Sequence, residues 1–253
     1  MKKLLLTLLL IPTLAFTMKN IKLDSSNSIN FNQAFSGSYV ASKQIEAMTK
    51  CAAKPGKVIY ITSYTPGGSI FAGQLFFDTL RGLPCTFHTI TIFAASMGYQ
   101  MAQNLGKRYI LPSGTLMSHR ASVGGLAGEI GGELESVLRN IKKTVKELEV
   151  IASNRVGISL KKYRDAISDE LWMTAEEAVE TNHADEVVTV TCTNDLLGTR
   201  IEKVSSFFGT LEVEFSNCPV IVAPLSVNGA NESQILKYKS DFSKINKRIT
   251  VTL

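Results

Sequence analysis

The chain has only four cysteines and three histidines among its 253 residues. Cys51, Cys85, Cys192 and Cys218 stand too far apart for the paired spacing of a zinc or iron–sulfur site. That excludes a cysteine-built metal centre, and neither a metal nor a cofactor is expected. No tandem repeat and no long low-complexity tract occurs, which argues against a solenoid or a disordered scaffold. The basic residues are scattered and form no stripe with aromatic residues, so nucleic acid is not an expected partner. No apolar run reaches the roughly 20 residues that a membrane-crossing helix needs.

What is present first is a leader. Met1, Lys2 and Lys3 precede an apolar run over residues 4–16, broken only by Thr7, Pro12 and Thr13, with polar residues after it. A basic end, an apolar middle and small residues near a cut are the layout of a secretory signal peptide. Residues 1–17 are therefore expected to be removed, with cleavage after Ala15 or Thr17, and no integral membrane span is expected afterwards. No cysteine follows the run, which argues against a lipid-anchored form. The mature protein is expected to be periplasmic or secreted. Loss of Lys2 and Lys3 takes the formal net charge from +5 to +3. An even number of cysteines in an exported protein permits two disulfides. Cys51–Cys85 and Cys192–Cys218 is the expected pairing, since Cys51 and Cys85 each precede an expected strand and fall at one end of a parallel sheet; four buried thiols are the alternative.

With 45% hydrophobic and 19% charged residues, the remainder suits one globular domain with a sizeable core. Residues 57–63 (KVIYITS) and 86–93 (TFHTITIF) are compact, β-branched runs of the kind buried on both faces of a sheet. Helices are expected over residues 40–50 and 69–80 and from the AASMG turn to about 104, one or two strands over 21–31, and short strands at 107–111, 115–118 and 186–191. Alternation of this kind implies an α/β fold, a parallel β-sheet with helical crossovers. Ile130, Leu134, Val137, Leu138, Ile141, Val145 and Leu148 form a helical stripe, so residues 129–152 read as a long helix that packs on its own domain or on a sister subunit. A shorter helix follows over residues 160–167. Thr174 and Glu177 have capping-box spacing, and Asn182 suits a left-handed helix end. Residues 18–192 form the main domain, and residues 193–253, with the β-like pieces LEVEF and VIVAPL, a C-terminal extension.

Ala94-Ala95-Ser96-Met97-Gly98 ends a buried strand and starts a helix. A serine there lies at the carboxyl end of the sheet, where open α/β folds keep their sites, with helix N–H groups pointing the same way. The alanines allow the turn, and Gly98 is expected to let a substrate approach. On these residues alone Ser96 reads equally as a nucleophile or as a helix cap. Thr65-Pro66-Gly67-Gly68-Ser69 makes a similar turn after the preceding strand; either an N–H of Gly67 faces Ser96 or the glycines serve only a tight turn. A nucleophilic serine needs a base within hydrogen-bond reach. His88 lies mid-strand and reads as a core or sheet-face residue, His183 reads as surface, and His119 ends a strand before a flexible ASVGG segment.

The segments TPGGSIFAGQLFFDTL, FAASMGYQMAQNLGKRYILPSGTLMSH and WMTAEEAVETNHADEV, in order and at similar spacing, resemble the proteolytic subunit of the Clp protease over about residues 21–191. The resemblance implies the ClpP/crotonase fold, with Ser96 as nucleophile, His119 as general base and the amides of Gly67 and Met97 as the oxyanion hole; Gly68 would contact substrate. The helix from residue 129 would be the projecting handle through which family members pair their rings, making a homo-oligomer. The family's acid matches Glu170, a departure from aspartate, with Asp169 as its neighbour; on an extended strand the two point to opposite faces, so only one serves. The resulting expectation is a serine endopeptidase acting on peptides or unfolded proteins, without an ATPase motor outside the cytoplasm. Three alternatives stand beside it: a peptidase with a lysine base, a crotonase-like acyl-CoA enzyme, and a weak or inactive binding and scaffolding protein.

Overall fold

A computed structural model of the chain describes residues 18–124, 129, 131–206, 209–228, 232, 233 and 236. The expected signal segment, residues 1–17, lies outside them. The main sheet is built from β1 (Lys19–Leu23), β2 (Ser28–Phe31), β3 (Val58–Thr65), β4 (Thr86–Ala95), β5 (Arg108–Ser118), β6 (Leu171–Met173) and β7 (Glu186–Cys192). Its order is β1-β7-β5-β4-β3-β2, all pairs parallel, with β6 antiparallel on the far end of β5. The helices α1 (Gly37–Ala53), α2 (Ile70–Gly82), α3 (Met97–Asn104), α4 (Glu133–Val156), α5 (Leu160–Ala166) and α6 (Ala175–Glu180) lie between the strands. This is the α/β arrangement that the alternating pattern predicts.

Alternation along the strands sorts the core into two faces. Ile29, Phe31, Ile59, Ile61 and Phe87 pack with Phe76, Phe77 and Leu80 of α2. Tyr60, Ile90 and Tyr109 lie in a separate cluster with Ile21, Leu23 and Val188. The disulfides follow the expected pairing: Cys51–Cys85 joins the last turn of α1 to the start of β4, and Cys192–Cys218 joins the end of β7 to the extension.

Three expectations change. The strands expected at 107–111 and 115–118 are one strand, β5, because Thr91 pairs with Ile110 and Phe93 with Thr115, so residues 111–114 bulge without ending the ladder. The long helix runs four residues later than expected, from Glu133 after two glycines and on to Gly157, whose left-handed conformation (φ 84) closes it. In the extension, LEVEF lies in β9 (Gly209–Ser216), which joins β8 (Thr199–Ser206) and β10 (Ser226–Asn228) in an antiparallel sheet, but VIVAPL forms no strand. Val222 of that segment instead packs on Tyr64, Phe93, Ala95 and Met117.

Candidate active site

Ser96 stands between β4 and α3 with φ 55 and ψ −114, a backbone conformation that a residue with a Cβ rarely adopts. Such a residue costs about 1–3 kcal/mol and persists only where its surroundings fix it. Here its N–H donates to the Met117 carbonyl of β5 (2.9 Å), and its own carbonyl accepts the first helical bond from Gln100 N–H (3.1 Å). The Ser96 side chain makes no capping bond. Its hydroxyl is left for another partner, and the helix-cap alternative falls away. Gly98 differs from expectation: a Cβ there would meet Thr65 Cγ2 at 2.6 Å, so its small size serves the packing of α3 on β3.

The partner of the Ser96 hydroxyl is His119. Pairing of Ala95 with Met117 sets the ends of β4 and β5 side by side, and His119 Nε2 lies 2.8 Å from Ser96 Oγ. A histidine that accepts the serine proton there carries its own proton on Nδ1. No described residue is hydrogen-bonded to that nitrogen. Glu170, expected to orient His119, is exposed, and its Oε2 accepts a hydrogen bond from the Trp172 indole N–H at 3.0 Å. Asp169 is exposed as well. The structure thus brings Ser96 and His119 together and joins neither acid to them.

The turn after β3 abuts the serine. A Cβ on Gly67 (φ +97) would lie 2.6 Å from Ser96 Cβ and 2.8 Å from Met97 N, so only glycine fits. The Gly67 N–H donates to Thr65 Oγ1 (3.2 Å) and is already engaged. Gly68, one residue on, lines the cleft with Ser96, Met97 and His119, and its N–H meets no acceptor among the described residues. Met97 opens α3, so its N–H lacks an intrahelical acceptor. Among the cleft-lining residues, Gly68 and Met97 flank Ser96 with amides that meet no acceptor among the described residues, whereas the amide of Gly67, the expected donor, is engaged.

His88 lies on the sheet face, edge-on to Tyr60 and Tyr109, as its position implies. His183 is not on the surface; it is 5% exposed, and its Nδ1 lies 2.7 Å from the Tyr99 hydroxyl. The left-handed Asn182 (φ 58) folds the chain back, so that His183 N–H donates to the Ala178 carbonyl. Burial pushes its pKa down to about 4.

Further polar residues line the cleft: Gln100, one helical turn beyond Ser96, Glu149 of α4, and the exposed Ser122. The signal for Glu149 was in the sequence, since it stands four residues after Val145 on the apolar stripe, where a charge is out of place. Gln100 carried no comparable signal.

The profile of the Clp protease family matches residues 19–191 of this chain. The chain is also similar to the ATP-dependent Clp protease proteolytic subunit of Porphyromonas gingivalis (strain ATCC BAA-308 / W83), with 36% identity over 140 residues. That stretch covers 54% of this chain and 62% of the relative, so the match spans less than two thirds of the relative's length.

Proposed function

Because the chain belongs to the Clp protease family, we propose that it is a serine endopeptidase that cleaves peptides or unfolded chains by acyl transfer to Ser96. The observation that carries this reading is the 2.8 Å contact between Ser96 Oγ and His119 Nε2 on a strained strand-to-helix turn. In the reaction, Ser96 Oγ attacks the scissile carbonyl carbon while its proton passes to His119 Nε2. The oxyanion is held by the amides of Gly68 and Met97. His119 returns the proton to the leaving amine as the C–N bond breaks. Water then attacks the ester, giving its proton to Nε2, and the acid departs as Ser96 regains its hydrogen.

Glu170 on the Trp172 indole, rather than on His119, supports a Ser–His pair of low turnover. A histidine without its orienting carboxylate works up to about 10⁴-fold more slowly in enzymes of this chemistry. The same observation favours, as the second reading, a peptide-binding protein with weak hydrolysis. The leader-like start and the two disulfides support an exported protein. Export separates it from an ATP-driven unfoldase and points to short or already unfolded substrates. Among the described residues no helix is long and apolar enough to cross a membrane.

The test is reaction of the mature protein with a fluorophosphonate. Labelling of the wild type, lost in Ser96→Ala and reduced at least about 10³-fold in His119→Ala, is expected. Glu170→Gln is expected to change the labelling rate less than about threefold. A folded wild type that does not label sinks the peptidase reading and leaves the binding one.

A further inference from the structure

The cleft beside Ser96 holds a cavity of about 90 Å³, and its walls are of mixed chemistry. Ile70, Val145, Leu148 and Ile167 supply apolar surface. Two hydrogen-bond acceptors interrupt it. Gln100 Oε1 is buried and has no hydrogen-bond partner, its Nε2 being turned to the Tyr163 hydroxyl at 3.4 Å. Glu149 is 8% exposed; its Oε2 accepts from Arg164 Nε at 2.7 Å, and its Oε1 has no hydrogen bond among the described residues. A buried acceptor without a donor is costly, so a fold that keeps one in a cleft leaves a place for a donor from outside.

Position decides which part of a substrate supplies it. Gln100 follows Ser96 by one turn of α3, so the cavity is continuous with the nucleophile. The residue whose carbonyl is attacked, P1, carries its side chain on the carbon bonded to the reacting carbon, which makes that side chain the part of a substrate nearest to this cavity. We propose that the pocket selects a P1 lysine or arginine, whose stem lies along Val145, Leu148 and Ile167 and whose cationic head donates to Gln100 Oε1 and Glu149 Oε1. A flexible stem on apolar surface with a charged head on acceptors suits both kinds of wall. Arg164, whose side chain is 43% exposed, stays in solvent as it shares the carboxylate. An aliphatic P1 side chain of the same length would leave both acceptors unmet. The inference rests on the serine-peptidase reading above.

The experiment uses a matched pair of diaryl phosphonate probes, one with lysine and one with norleucine at P1, beside a fluorophosphonate that has no P1 side chain. The wild type is expected to react about 10- to 100-fold faster with the lysine probe, the scale of hydrogen bonds to a charged group. Glu149→Gln and, independently, Gln100→Leu should each reduce that ratio at least about fivefold; with two variants, failure of one to fold leaves the other to decide. Fluorophosphonate labelling with an equal or faster norleucine rate overturns the pocket assignment and leaves the peptidase reading intact. A lysine preference untouched by both variants overturns the role of Gln100 and Glu149. Silence towards the fluorophosphonate overturns the peptidase reading and this inference with it.

Discussion

Gly67 is where a single missing carbon positions the reactive serine. Its φ of +97 disfavours any side chain, and a Cβ would fall 2.6, 2.7 and 2.8 Å from Ser96 Cβ, the Ala95 carbonyl oxygen and Met97 N. None of these is the loose end of a flexible side chain, so alanine must displace the turn that holds the nucleophile. Gly56 gives the control: its φ is +81, but nothing lies within 4 Å of its would-be Cβ. Both alanine variants lose about 1–2 kcal/mol for the left-handed backbone, and Gly67→Ala loses about 1–3 kcal/mol more from overpacking. Fluorophosphonate labelling of Gly67→Ala should fall at least about 100-fold, and that of Gly56→Ala should stay within about twofold. Equal labelling of the two would mean that Gly67 does not hold Ser96 in place. Ser96 and His119 were legible at this scale as candidates because each ends a buried strand beside small residues, and the family resemblance, not the local pattern, favoured the nucleophile over the helix cap at Ser96. His183 was not, since a polar residue just past a helix reads as exposed until the left-handed Asn182 folds it inward.

Among the elements, α6 and the turn after it lock the far side of the sheet. The capping box between Thr174 and Glu177 starts the helix as its spacing predicts. Beyond its end, the almost fully buried Arg108 donates to Asp185 Oδ1 at 2.6 Å and to the Asn182 carbonyl at 2.9 Å, so a charge taken from water is surrounded by acceptors. His183 sits within this turn, and its titration should be visible in stability. Its pKa is about 4 when folded against an ordinary 6.5. Between those values the unfolded chain binds a proton that the folded chain refuses. The contribution of His183 is therefore whole above pH 6.5, falls as the pH drops towards 4, and levels off below, a loss of about 3 kcal/mol. Urea unfolding of the wild type and His183→Gln across pH 4–7 should show a shallower decline in the variant, whatever its absolute stability. Parallel curves would mean that His183 takes up its proton equally in both states. Strand β5 shows the limit of sequence at this scale: Leu111-Pro112-Ser113-Gly114 has turn chemistry, and only the pairing on either side shows that the strand continues past it.

At the scale of the whole molecule, the parallel sheet was legible because helices and strands alternate, and the pairing of Cys51 with Cys85 because both were expected at one end of that sheet. The extension was not, since its β-like pieces give no sign of whether they pair with each other or with the main sheet. Val222 also packs against Tyr64, Phe93 and Met117, a contact between distant segments that no local pattern announces. One large feature has no partner within the described chain. Helix α4 is buried only at Leu148, Glu149, Ala152, Ser153 and Val156, while its first turns carry the apolar stripe outward and leave Val137 40% exposed. Leu134, Leu138 and Ile141 continue that stripe, half-buried. A lone helix gains little from such a stripe in water, whereas two copies laid side by side would bury it at native packing. The protein is therefore expected to be a homo-oligomer held through α4, consistent with the ring assembly that the family resemblance implies. Light scattering of the eluting wild type should give a mass that is a multiple of the single chain. Val137→Glu combined with Leu138→Glu places two carboxylates on the stripe and should weaken assembly at least about 100-fold, since an unpaired charge at such a contact is strongly unfavourable. Circular dichroism should remain that of the folded chain, because neither side chain is among the buried residues of α4. A wild type that elutes as a single chain at micromolar concentration would end the oligomer reading and return the stripe to some other partner.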